Sequence, residues 1–172
     1  MITNLRLARG GSLKWSSQCR YLVVYFVSGR AFRCSSDQCK CRYYRAINAV
    51  FSKVGRLASE EVVLDFIRNK CLPVLLYGVE ACPMLVRVKR SLEFTVTRSL
   101  MKLFQTGSAT VVSDCMIFFH FLPVSHQIDI RTAKFLANFM CSENYICTLF
   151  ENKAESFLKE IFVRCNTMSL QF

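Results

Sequence analysis

The sequence predicts a mainly α protein with a small antiparallel β element at its N-terminus. Strand-type segments are confined to the first third of the chain. After Asp37 the apolar period lengthens from two residues to about 3.6, the helical repeat. Of the 172 residues, 52% are hydrophobic and fifteen are Phe, so the chain can bury a substantial core and is too aromatic for a disordered one.

The strands come first. "ITNLRLA" (2–8) and "SLKW" (12–15) flank Gly10-Gly11, a pair that tolerates the positive φ angles of a tight hairpin turn. "YLVVYFV" (21–27) is rich in β-branched and aromatic residues and stops at Ser28-Gly29, which makes it a third strand. The first helix spans about 38–55, with Tyr44, Ile47, Val50, Phe51 and Val54 on its apolar face and Gly55 as its stop. Ser59 reads as the next N-cap, with Glu60 and Glu61 in the first turn, where carboxylates suit the helix dipole. That helix ends near Cys71, because Pro73 disfavours helical geometry at Leu72. Pro73 opens a short helix through "VLLYGVEA" (74–81), and Pro83 ends it. The next helix, about 86–105, carries an apolar stripe of Val88, Leu92, Val96, Leu100 and Leu103, and Gly107 follows it. Shorter helices are expected at 110–120, 125–140 and 143–164.

Several chemistries fit poorly. Cys34, Cys39 and Cys41 cluster, with His120 and His126 far downstream, but their spacings do not form the paired C-x₂₋₄-C ligands of a structural zinc site. No metal and no cofactor are expected. Cys71 and Cys82 lie across two prolines and suggest no redox pair. His120 in "FFHFL" reads as a core or interface residue, and no nucleophile–base motif is present. Asp37, Asp65, Asp114 and Asp129 are isolated from other acids, and Glu60-Glu61 is explained by capping, so two-metal phosphoryl chemistry has no obvious home. No catalytic residue is assigned. No run reaches the roughly 18 to 20 apolar residues that span a bilayer, and the N-terminus lacks the apolar core of a signal peptide. Ten cysteines then read as reduced thiols of an intracellular protein, cytoplasmic or nuclear and not secreted.

The formal net charge of +11 favours a polyanionic partner, nucleic acid or an acidic membrane surface. Arg42, Arg45 and Arg56, with Ser52, fall opposite Ile47 and Phe51 on the first helix. Arg87, Arg98 and Lys102 fall opposite Val96 and Leu100 on the 86–105 helix, with Arg90 at the edge. Ordinary surfaces mix both signs, so two cationic faces suggest phosphate contact with RNA or DNA. The rival reading is a helical module whose apolar surface binds a protein partner.

"CLPVLLYGVEAC" (71–82), preceded by "YYRAINAVFSKVGRLASEEVVLDFIRNK" and followed by "SLEFTVTRSLMKLFQT", resembles the region just after the reverse-transcriptase core of non-LTR (LINE-type, jockey-like) retrotransposon polyproteins. The P-x-L-L-Y-G-x-E pattern is its most specific part. "RYLVVYF" is similar to the Y-L-G-V segment closing the palm, with Val23 where the family has glycine. "FLPVSHQIDIRTAKFLANF" resembles the family's E-L-P-S…R…K-F stretch, with Phe121 in place of the acid. The resemblance implies a palm-terminal remnant over 1–36, including a primer-grip-like hairpin with Gly10, Gly11, Lys14 and Trp15. It implies a helical thumb-like bundle over 37–108 and a helical connector over 109–172. Pro73, Tyr77, Gly78 and Glu80 become structural residues of a buried thumb helix, in which Gly78 permits close helix approach and a buried Glu80 needs a partner. The implied function is that of a catalytically incomplete polymerase fragment with sequence-nonspecific affinity for a template–primer-like duplex, or the product of a decayed element with no selected role. Without upstream palm strands, an apolar edge over 20–27 would favour self-association.

Overall fold

A computed structural model describes residues 5, 6, 8, 10–13, 15–54, 57–82 and 84–168. The chain is mainly helical, with small antiparallel sheets at its N-terminus. Strands β1 (Leu5–Arg6) and β2 (Ser12–Leu13) pair antiparallel. Gly10 takes φ 81° between them, but Arg6 pairs with Ser12, so the connection is a five-residue loop and not a tight turn. Lys14 lies outside the described residues, and Trp15 is exposed just after β2.

The apolar run 21–27 is not one strand. It divides between β3 (Gln18–Tyr21) and β4 (Val24–Val27), joined by the two-residue turn Leu22-Val23, and β5 (Arg33–Ser35) completes a sheet of order β3-β4-β5. Leu22 adopts φ 52°, a left-handed conformation that costs a branched residue about 1–2 kcal/mol. No glycine marks this turn, which is why an apolar run read as continuous. The apolar edge expected over 20–27 is also corrected. Val24–Val27 is the central strand, and the edge β3 reads Gln-Cys-Arg-Tyr.

Helix α1 (Asp37–Val54) buries Tyr43 and Ile47, while Tyr44 stays 38% exposed. Helix α2 (Glu60–Phe66) starts after Ser59, with Glu60 and Glu61 in the first turn as expected, although the Ser59 hydroxyl makes no capping bond. It does not stop at Cys71. A π turn at Ile67–Cys71 carries it into α3 (Leu72–Leu75), and Leu72 is helical at φ −61°, ψ −40°. The Leu72 N–H donates to Ile67 O, and this wide turn accommodates the missing N–H and bulky ring of Pro73. The chain then turns through Gly78 into a 3₁₀ turn at Val79–Ala81. Gly78 has φ 72°, and a Cβ there would sit 2.9 Å from Val24 Cγ2. The close approach that requires glycine is therefore with strand β4, not with another helix. Gly55, Arg56 and Pro83 lie outside the described residues.

Helix α4 (Val86–Leu103) buries Leu92, Val96 and Leu100. It packs against α1 and, on another side, against α6 (Val124–Met140). Helix α5 (Ala109–Phe118) follows α4 in the chain and packs against it. Helices α4 and α5 end in matching Schellman turns. Gln105 (φ 52°) and His120 (φ 50°) hold the left-handed position, while Thr106 N–H donates to Met101 O and Phe121 N–H to Met116 O. His120 is consequently an exposed turn residue, not a core residue. The helix expected over 143–164 is two: α7 (Tyr145–Leu149), capped by Asn144 Oδ1 accepting from the Ile146 N–H at 2.9 Å, and α8 (Glu151–Met168). One core cluster runs from α1 through the start of α6, and a smaller one of Leu136, Ala154 and Ile161 joins α6 to α8.

Candidate nucleic-acid interface

The inward stripe of α4 fixes what faces out. With Leu92, Val96 and Leu100 buried, helical geometry turns Arg87, Arg90, Phe94, Arg98 and Lys102 to solvent, and all five are exposed. Arg90, Phe94, Arg98 and Lys102 follow one another at i, i+4. From Arg87 to Lys102 the stripe rises about 22 Å along the axis, enough to pass several backbone phosphates of a duplex. The Arg98 guanidinium lies 5.8 Å from the Phe94 ring centroid and Lys102 Nζ lies 4.8 Å from that of Phe51 on α1. These contacts hold the cations in place without neutralising them. Among the described residues, none of the four cations of this stripe, Arg87, Arg90, Arg98 and Lys102, forms an ion pair.

Two acids that contact or belong to α4 are used elsewhere. Glu93 turns inward, and its carboxylate accepts the Val124 N–H at 3.1 Å and the Ser125 N–H at 2.9 Å, capping α6. Asp129 on α6 binds inward-turned Lys89 at 2.7 Å and lies 4.0 Å from Arg164 on α8. The outer face of α4 is left cationic.

Arg87, Arg98 and Lys102 thus share one face, as the sequence predicts. Arg42 and Arg45 do not join it. Phe51 marks the side of α1 next to Lys102, and at 100° per residue Arg45 and Arg42 lie about 120° and 180° around the helix from it. Arg45 is exposed and Arg42 half-buried. The stripe has two further members. Arg90 is fully part of the face rather than its edge, and Phe94 interleaves an aromatic among the cations. The i, i+4 spacing of both is readable in the sequence.

The remaining assigned residues lie elsewhere. Pro73 and Tyr77 are exposed and Gly78 is half-buried. Glu80 Oε2 is buried without a hydrogen-bond partner among the described residues. Beside it, burial pushes the Cys82 thiol up to about 12, reinforced by the neighbouring Cys34 thiol. Cys34, Cys39 and Cys82 line one small cavity between the β3–β5 sheet and the helices. Burial also raises Cys39, which keeps such thiols protonated and weakly nucleophilic. Among the described residues, no three His, Cys, Asp or Glu side chains are grouped to hold a metal ion, and no helix is long and apolar enough to cross a membrane.

No family model, curated protein or solved structure matches the chain.

Proposed function

We propose that this chain binds nucleic acid without sequence specificity, gripping the phosphate backbone of a duplex through the outer face of α4. The supporting observation is the stripe of Arg87, Arg90, Arg98 and Lys102, exposed, free of ion pairs among the described residues and interleaved with exposed Phe94. Cations of this kind contact phosphates, and the aromatic ring offers a stacking face that every base accepts. In this reading the chain is an intracellular thumb-and-connector fragment of a non-LTR retrotransposon reverse transcriptase. Its role is binding, not polymerisation. Asp37, Asp65, Asp114 and Asp129 lie one each on α1, α2, α5 and α6, and among the described residues no three His, Cys, Asp or Glu side chains are grouped as a two-metal site would need.

Fluorescence anisotropy with an RNA–DNA hybrid, titrated at several salt concentrations, tests the proposal. Four to six phosphate contacts give a log–log salt slope of roughly −4 to −5, at about 0.9 per contact. Replacing Arg87, Arg98 and Lys102 with Gln lowers the magnitude of that slope by about 2 to 3. An unchanged slope in a variant with wild-type circular dichroism sinks it. A protein-interaction module is the second reading, favoured by Tyr145, Ile146, Leu149 and Phe150, four exposed apolar residues of one short segment. Association through that segment would resist salt, where phosphate binding weakens.

A further inference from the structure

A second cationic feature lies away from the α4 stripe. Arg68, in the π turn after α2, and Arg131 and Lys134, on α6, border one depression of about 280 Å³ together with His120 and Gln127. Leu122 and Ile130 complete its wall. Gln127, Ile130, Arg131 and Lys134 recur at i, i+3, i+4 and i+7, so one face of α6 supplies four of these residues. Arg68 is delivered from the other side and fixed. Its Nη2 donates to Phe119 O at 3.3 Å and His120 O at 3.4 Å, and its guanidinium carbon lies 5.7 Å from the Phe121 ring centroid. Its Nη1 pairs with Asp65 at 3.2 Å, among the described residues the one acid ion-paired with the cluster, and Asp65 does not border the depression. Gln127 is held as well, its Nε2 donating to Leu122 O at 2.7 Å. Arg131 and Lys134 form no ion pair among the described residues.

We infer that this depression is a phosphate-binding site. Three cations converge from two elements with one partial counter-charge, which leaves a net excess of about two positive charges for an anion to neutralise. A guanidinium held by backbone carbonyls keeps its remaining donors oriented before a ligand arrives, and Arg forks match the geometry of phosphate oxygens. The depression has room for the group to which a phosphate is attached. The site involves no residue of the α4 stripe, so it does not rest on the nucleic-acid reading. The phosphate can belong to a polynucleotide backbone or to a free phosphorylated molecule, and the chemistry at the site is the same.

Inorganic pyrophosphate is the probe for the site, followed by isothermal titration calorimetry on the whole chain. The double variant R131Q/K134Q is expected to lose affinity for it by about tenfold or more, whereas R87Q/R98Q/K102Q keeps wild-type affinity. Arg131 and Lys134 are partly or fully exposed on α6, and circular dichroism checks that the double variant is folded. The same variant titrated with the RNA–DNA hybrid identifies the source. A salt slope reduced by about 2 assigns the site to a backbone phosphate. An unchanged slope with lost pyrophosphate binding assigns it to a free phosphorylated ligand. No pyrophosphate binding by the wild-type chain, or equal binding by wild type and R131Q/K134Q, overturns the site. Either result leaves the α4 proposal to its own variants.

Discussion

Helices α4 and α8 have the same length, eighteen residues, and both are amphipathic, yet they are held very differently. Around α4, Tyr43 and Ile47 of α1, the π-turn residues Ile67 and Cys71, Leu72 and Leu75 of α3, and Val124 and Ile128 of α6 all sink to 2% exposure or less. Around α8 the buried apolar residues, among those described, are Leu136, Ala154 and Ile161, while Phe157 and Phe162 stay exposed and the adjoining Tyr145–Phe150 segment is exposed almost throughout. Apolar content is not what differs. Helix α4 has partners on several sides, whereas α8 rests on α6 and the short α7. Burial, and hence hydrophobic stabilisation, depends on how many neighbours an element has.

The sharpest way to break this contrast is to cut one leucine from the α4 core. Leu100→Ala is expected to cost about 2–5 kcal/mol and to lower the single main unfolding transition in urea, followed by circular dichroism. The matching cut in α8, Ile161→Ala, should instead expose α8 to hydrogen exchange while the midpoint of the α1–α4 transition moves little. Equal midpoint shifts would show one cooperative unit.

The two regions are joined at Asp129, which binds Lys89 of α4 and approaches Arg164 of α8. Removing its charge strands a half-buried ammonium. Asp129→Asn is expected to cost about 1.5–3 kcal/mol, read from thermal unfolding, with α8 amides losing exchange protection first. Unaltered protection in α8 would mean that the ion pair is local to α4 and α6.

On the opposite side, Gly78 seats the sheet on the compact region. Ala there combines a left-handed φ of 72° with a Cβ 2.9 Å from Val24 Cγ2. Gly78→Ala is expected to cost about 1–3 kcal/mol in the urea transition, and Val24→Ala should recover part of that loss in a double-mutant cycle. Additive losses would remove Val24 as the cause.

The smallest effect separates the regions by pH. The Cys39, Cys71 and Cys82 thiols of the α1–α4 side are raised by burial, Cys82 to about 12. The fold favours their neutral form, so this contribution is complete below the unfolded thiol pKa of about 8.5. It is lost as pH rises from there through about 12. The urea midpoint should therefore fall from pH 8 to pH 10, and Cys82→Ala should flatten that fall. At pH 8 a thiol reagent should modify exposed Cys19, Cys41 and Cys141 well before Cys71. Early reaction of Cys71 would show that its surroundings open easily.

The sequence by itself determined where the long helices lie and which way most of them face. The stripe of Leu92, Val96 and Leu100 and the bounds of α1, α4 and α6 follow from a 3.6-residue repeat, a property of neighbouring residues. The cationic face of α4 follows in turn, because burying one stripe exposes its opposite. Tertiary structure alone decided what depends on distant partners. The run 21–27 became a hairpin because β5 and Gly78 flank its second half, and no turn residue announced the split. Glu93 caps a helix 31 residues away, and Arg68 reaches a carbonyl 52 residues away. The phosphate depression exists only because that reach brings Arg68 to the α6 face of Arg131 and Lys134. Local periodicity orients a side chain about its own helix axis. Which helix it then meets depends on how several apolar faces are buried together, and that is settled by the packed chain as a whole.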